Sequence, residues 1–175
     1  MNKKKLIILS LFAFGHLCFG QVISNCYTVE LQKVIKLKND YLFLEVVDSL
    51  KKDHQNGEKC LSNSTVLDLL IKYYEQHLRD SINDSLYVVH FQISDLLKNN
   101  AEYSEWIGED FSDFFVKNIG KALKLLDKIK DTSAIDRIAN DASFIEGNNA
   151  KILDYIVKNK LQNHNYYKYF INYKD

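Results

Sequence analysis

From Tyr27 onward, apolar residues recur three and four positions apart with few interruptions, the spacing that gives an α-helix one buried face. Tyr27, Leu31, Val34 and Ile35 mark a first helix, and Asn39-Asp40 caps a second in which Phe43, Val47 and Leu50 share a face. Tyr41 to Val47 is also rich in aromatic and β-branched residues, so a short strand pair is the alternative there. Asp53 to Ser62, with Gly57, reads as a loop carrying Cys60. Ser64 caps a helix with Val66, Leu67, Leu70, Ile71, Tyr74 and Leu78 on one side, and Asp84 caps the next, which buries Leu86, Val89, Ile93, Leu96 and Leu97. Asn99-Asn100 ends that helix before Tyr103, Trp106, Ile107, Phe111, Phe114 and Phe115, the most aromatic stripe of the chain. Asn118 restarts the pattern. Three shorter helices are expected over Ile119 to Ile129, Ser133 to Ile145 and Ala150 to Leu161, with Asp131 and Asn148-Asn149 as caps. The tail from Tyr166 to Tyr173 is too apolar for a free end and predicts a docking helix.

These patterns predict an all-α fold: a single domain over residues 21–175 with about seven or eight short amphipathic helices, arranged as an irregular bundle or a short helical-repeat array. The repeat alternative rests on an apolar-apolar-Asp-x-apolar core that occurs at Val46, Val66, Leu125 and Ile152. The copies around Asp127 and Asp154 lie 27 residues apart, near the period of a helix pair, but the others do not keep that interval. Proline is absent, so neither the strongest helix breaker nor a Pro-rich linker divides the chain.

The first 20 residues follow a different rule. Lys3, Lys4 and Lys5 precede an apolar run from Leu6 to Phe14, and Cys18-Phe19-Gly20 ends in a small residue, the three-part layout of a cleavable signal peptide. The run is too short to cross a bilayer core of about 30 Å, so no transmembrane segment is expected after cleavage and the mature chain is expected to be exported, periplasmic or secreted. A lipid anchor at Cys18 is the weaker alternative, because the bulky Leu17 stands where lipoprotein processing takes a small residue.

Without that leader, 20 basic residues face 23 acidic ones, a formal charge of −3. A nearly neutral chain lacks the basic patch that must replace counterions on phosphates, which argues against nucleic acid as a partner. It likewise lacks a polybasic anchor for anionic lipid. Cys26 and Cys60 remain as an even pair and, in an oxidising compartment, are expected to form a disulfide.

Chemistry is sparse. The mature histidines, His54, His77, His90 and His164, show no metal-ligand spacing, so neither a metal nor a cofactor is expected, and His77 and His90 fall at apolar positions that suit core histidines. Serine nucleophile elbows and phosphate-cradling glycine loops do not occur. The sharpest feature is the series Glu102, Glu105, Glu109 and Asp113, whose spacings of 3, 4 and 4 place four carboxylates on one stripe of a helix beside Trp106. That stripe reads as a solvated polar face, as a surface for a partner, or as the site of a cell-envelope glycan hydrolase in which Glu105 and Glu109 form the carboxylate pair. Tyr166, Tyr169 and Tyr173 in the tail are the second candidate surface. The function expected first is non-enzymatic binding of another protein, with glycan hydrolysis as the alternative.

Overall fold

A computed structural model of the chain describes residues 26–80 and 83–173; the expected leader, its cleavage after Gly20 and Cys18 lie outside them. The described residues form α1 (Thr28–Leu37), α2 (Asp40–Gln55), a 3₁₀ turn (Cys60–Ser62), α3 (Ser64–Asp80), α4 (Leu86–Leu97), α5 (Ala101–Lys117), α6 (Ile119–Leu126), α7 (Thr132–Ala142), α8 (Asn148–Lys158) and α9 (Tyr167–Asn172). The fold is all-α, as the periodicity predicts, and the nine α-helices exceed the expected seven or eight. No strand occurs among the described residues, which overturns the alternative at Tyr41 to Val47. There Phe43, Val47 and Leu50, spaced 4 and 3 apart, are all fully buried on one helical face, and the Asn39 side chain accepts the Leu42 N–H at 3.1 Å to start the helix. Burial of that face outweighs a weak β-propensity.

Several boundaries move. Helix α2 runs on through Gln55, so the expected loop from Asp53 begins late, and Cys60 lies in the 3₁₀ turn. The cap of α3 is Asn63 rather than Ser64, because the Asn63 Oδ1 accepts the Thr65 N–H at 2.9 Å. Asn83 rather than Asp84 serves the start of α4, accepting the N–H and hydroxyl of Ser85, while Asp84 pairs with Lys128. Asp131 caps as expected, accepting the Ser133 N–H, and Asn100, expected only to end α4, also caps α5 by accepting the Tyr103 N–H. Asn148 and Asn149 are not caps: both are buried in the first turn of α8, which follows Gly147 at φ 77°. That left-handed backbone is open to glycine at no steric cost. The helices α6, α7 and α8 each end three residues before the expected limit. In α8 the stop is a left-handed Lys160, φ 60°, with the Leu161 N–H returning to the Ile156 carbonyl.

The helices group into two compact units, one ending at Lys72 and the other starting at Tyr73, inside α3. In the first, α1 packs on α2 through Leu31, Val34, Phe43, Val47 and Leu50. The expected Cys26–Cys60 disulfide is present, with Cα atoms 5.3 Å apart, and closes a loop of 34 residues. The Tyr27 hydroxyl donates to Asp53 at 2.6 Å in the same unit. Hydrogen bonding to that carboxylate, before burial, pushes the Tyr27 phenol up to about 12.

In the second unit α5 is the central rod, packed against α4, α6, α7 and α8, and α9 packs on α7 and α8. Its buried face supplies Ile107, Phe111, Phe114 and Phe115. Ser112 sits on that face with a fully buried hydroxyl that donates to the Ala142 carbonyl at 2.7 Å and accepts from the Asn148 side chain at 3.0 Å and the Ile145 N–H at 3.3 Å. One side chain thereby serves the end of α7, the turn after it and the start of α8. The four apolar-apolar-Asp segments fall at unrelated depths, from the first turn of α3 to the last residues of α6, as amphipathic helices of a bundle rather than as a repeat.

Candidate functional site

The polar face of α5 is the mirror of its aromatic one. With Phe111 and Phe115 turned inward, positions 102, 105, 109 and 113 must point outward, and all four carboxylates are exposed. Glu102 lies in the first turn, where the helix dipole favours an acid. Asp113 meets Lys117 at 3.4 Å one turn on, whereas Glu102, Glu105 and Glu109 have no ion pair among the described residues. Trp106, beside them, is half-buried and meets Tyr74 edge-on at 6.1 Å.

Full exposure bears on the hydrolytic alternative. A glycosidase acid keeps its proton because a cleft shields it from water, and neither Glu105 nor Glu109 is shielded. The acid that is partly shielded is their neighbour Asp110, which lies in a cleft of about 450 Å³ with Glu75, Arg79, Asp113, Phe114 and Lys117. Burial, then the charges of Glu75 and Asp113, raise the Asp110 carboxyl above its ordinary range. Glu75 is itself engaged by Arg79 at 2.7 Å, so the cleft is a mixed-charge depression. Asp110 follows the ridge by one residue, which puts it at the boundary of the apolar face; that position was the available signal for it.

A second cluster is internal. The Tyr74 hydroxyl, fully buried, lies 2.7 Å from Nδ1 of His90, and Nε2 of His90 lies 2.8 Å from Asp141. The His90 ring stacks on Phe111 with centroids 3.8 Å apart. Since the carboxylate can only accept, Nε2 carries the proton and Nδ1 accepts from Tyr74. Arg137 reaches Asp141 at 4.0 Å and lies over the Phe91 ring. The arrangement looks like a relay, yet His90 and Tyr74 are closed to solvent, so it joins α3, α4 and α7 rather than meeting a substrate. His77 is buried as well, and both histidines occupy the core positions expected of them. His164 accompanies Asp127 at 2.8 Å near the surface, and among the described residues no three His, Cys, Asp or Glu side chains are placed to hold a metal ion.

The tail docks. Tyr166 and Phe170 are buried, which removes Tyr166 from the expected interaction surface because its ring packs inward against Phe170. Tyr169 is half-exposed with Lys168 over its ring at 4.8 Å. Tyr173, also half-exposed, donates its hydroxyl to Asp136 at 3.1 Å, and its carbonyl accepts from the Asn149 side chain at 2.7 Å.

No protein-family model, curated protein or solved structure matches the chain. The functional reading therefore rests on geometry and charge.

Proposed function

We propose that this is an exported, non-enzymatic binding protein whose helix α5 offers Glu102, Glu105, Glu109 and Asp113 to a cationic surface on another protein. What carries the reading is that the stripe is wholly exposed while three of its four acids have no ion pair among the described residues. Like charges at helical spacing destabilise a helix by a few tenths of a kcal/mol per pair, a cost that a partner's lysines or arginines would relieve. The same stripe would steer a basic partner during encounter and repel phosphates. The disulfide is consistent with an oxidising compartment, and no helix among the described residues is long and apolar enough to cross a membrane. Glycan hydrolysis by Glu105 and Glu109 has no comparable support, since both stand in water.

The test is affinity capture from cell-envelope extract, comparing the unaltered chain with the variant Glu102→Gln/Glu105→Gln/Glu109→Gln/Asp113→Asn. A protein retained reproducibly by the former, released by salt and missing with the variant is the expected result. Absence of any such protein, together with glycan release that Glu105→Gln abolishes, would replace this reading with the hydrolytic one.

A further inference from the structure

We infer that the cleft between α3 and the C-terminal half of α5 is a binding site for an alkyl chain ended by a guanidinium or ammonium group. On the reading of α5 as an acidic docking face, on which the source of that group rests, it is an arginine or lysine side chain of the partner. The cleft, of about 450 Å³, lies wholly within the second unit. Glu75, Leu78 and Arg79 fall at helical spacing on α3, and Asp110, Asp113, Phe114 and Lys117 do the same on α5, so each helix turns one side to it. Leu78 and Phe114 are 6% and 7% exposed and give it an apolar floor.

The charges of the cleft do not cancel. Three carboxylates, those of Glu75, Asp110 and Asp113, line it with two cations, and each cation is engaged on its own helix: Arg79 holds Glu75 at 2.7 Å and Lys117 holds Asp113 at 3.4 Å. Asp110 is the remainder. It is half-buried and has no hydrogen bond or ion pair among the described residues. A carboxylate drawn partly out of water without a partner is held at a cost. Burial and the charges of Glu75 and Asp113 raise the Asp110 carboxyl against the opposing charges of Arg79 and Lys117, and a cation placed beside it reverses that balance.

The rest of the lining decides which cation. A bare metal ion is disfavoured: two of the three carboxylates are already paired, and among the described residues no three His, Cys, Asp or Glu side chains are placed to hold one. Leu78 and Phe114 offer such an ion nothing. They suit a long side chain, which lays its methylenes on apolar surface while its charged head reaches an acid. Asn118, also on the wall, turns its amide nitrogen to the Phe114 carbonyl at 2.9 Å, which leaves its oxygen as a second acceptor for a head with several N–H groups. An anion would meet one net negative charge, from three acids against two bases.

The experiment is an NMR titration of the isotope-labelled, disulfide-bonded chain with n-butylguanidinium, following the Asp110 carboxyl and the Phe114 ring. Guanidinium, which lacks the stem, and butan-1-ol, which lacks the charge, serve as the other arms. The probe is expected to bind saturably and both controls at least tenfold more weakly. Asp110→Asn should weaken the probe tenfold or more without lowering the melting curve, while Glu102→Gln/Glu105→Gln/Glu109→Gln, outside the cleft, should leave its binding unchanged. Probe binding that survives Asp110→Asn, or equal binding by either control, would overturn the inference. The source is read from the envelope capture, where Asp110→Asn with the stripe intact should reduce the retained protein at least tenfold. Retention that needs the stripe but not Asp110 overturns the side-chain source and leaves the acidic-face reading standing. Probe binding through Asp110 with no protein captured removes the acidic-face reading instead and makes the occupant a free alkyl cation.

Discussion

Removing one oxygen tests the internal cluster. Tyr74→Phe deletes the hydroxyl that donates to His90 Nδ1 at 2.7 Å and keeps the ring that meets Trp106 edge-on. His90 is 1% exposed, so water does not replace the lost donor and Nδ1 becomes a buried acceptor without a partner. Such an orphan costs about 1–3 kcal/mol. The removed hydroxyl leaves too small a void to add much, so a loss of about 2 kcal/mol in unfolding free energy is expected at pH 7.5. Trp106 is the only tryptophan and belongs to the second unit, which makes its fluorescence in a urea titration the natural readout. A loss below about 0.5 kcal/mol, the scale of an ordinary solvent-facing change, would mean that the bond does not hold these helices together.

Acid probes the same group from the other side. Burial lowers the His90 pKa below its ordinary 6.5, outweighing the hydrogen bond and charge of Asp141, and Arg137 acts in the same direction as burial. The facing groups are Tyr74 from α3, Phe111 from α5, and Asp141 with Arg137 from α7. Because the folded chain resists the proton that the unfolded chain accepts, the stabilisation is complete above pH 6.5 and is lost as the pH falls from there toward the folded pKa. The urea midpoint should therefore drop between pH 7 and 5, and His90→Gln should flatten the slope. A midpoint that rises over that interval would refute the assignment of His90 as a buried neutral imidazole.

Three further outcomes are open to direct measurement. Reducing the chain, or replacing Cys26 and Cys60 by serine, reopens a loop of 34 residues and should cost roughly 3–4 kcal/mol, seen as faster amide exchange along α1 and α2. Ser112→Ala leaves the Asn148 amide and the Ile145 N–H without their buried acceptor and should cost about 2 kcal/mol in the Trp106 urea titration. Glu105→Gln/Glu109→Gln should raise the unfolding free energy by a few tenths of a kcal/mol at low salt, an increment that 0.5 M salt erases, since repulsion between exposed charges is screened.

What could be read from residue order divides by the range of the force involved. Helical periodicity is local, and it located the buried positions of α2, α5 and α9 because side chains three and four apart share a face whatever they pack against. Caps were local as well, yet adjacent candidates compete. Asn63 displaced Ser64 by presenting its oxygen to the Thr65 N–H, whereas before α4 Asp84 was drawn to Lys128 and Asn83 ties down Ser85 in the preceding turn rather than the helix's own N–H groups. Asn148 and Asn149 had the right chemistry for caps but were drawn inward, where Ser112 and the carbonyls of α9 needed donors. The acidic stripe was legible because exposure follows from facing away from Phe111 and Phe115. The Tyr74–His90–Asp141 chain was not, since its members are separated by 16 and 51 residues and meet only after α3, α4 and α7 have packed.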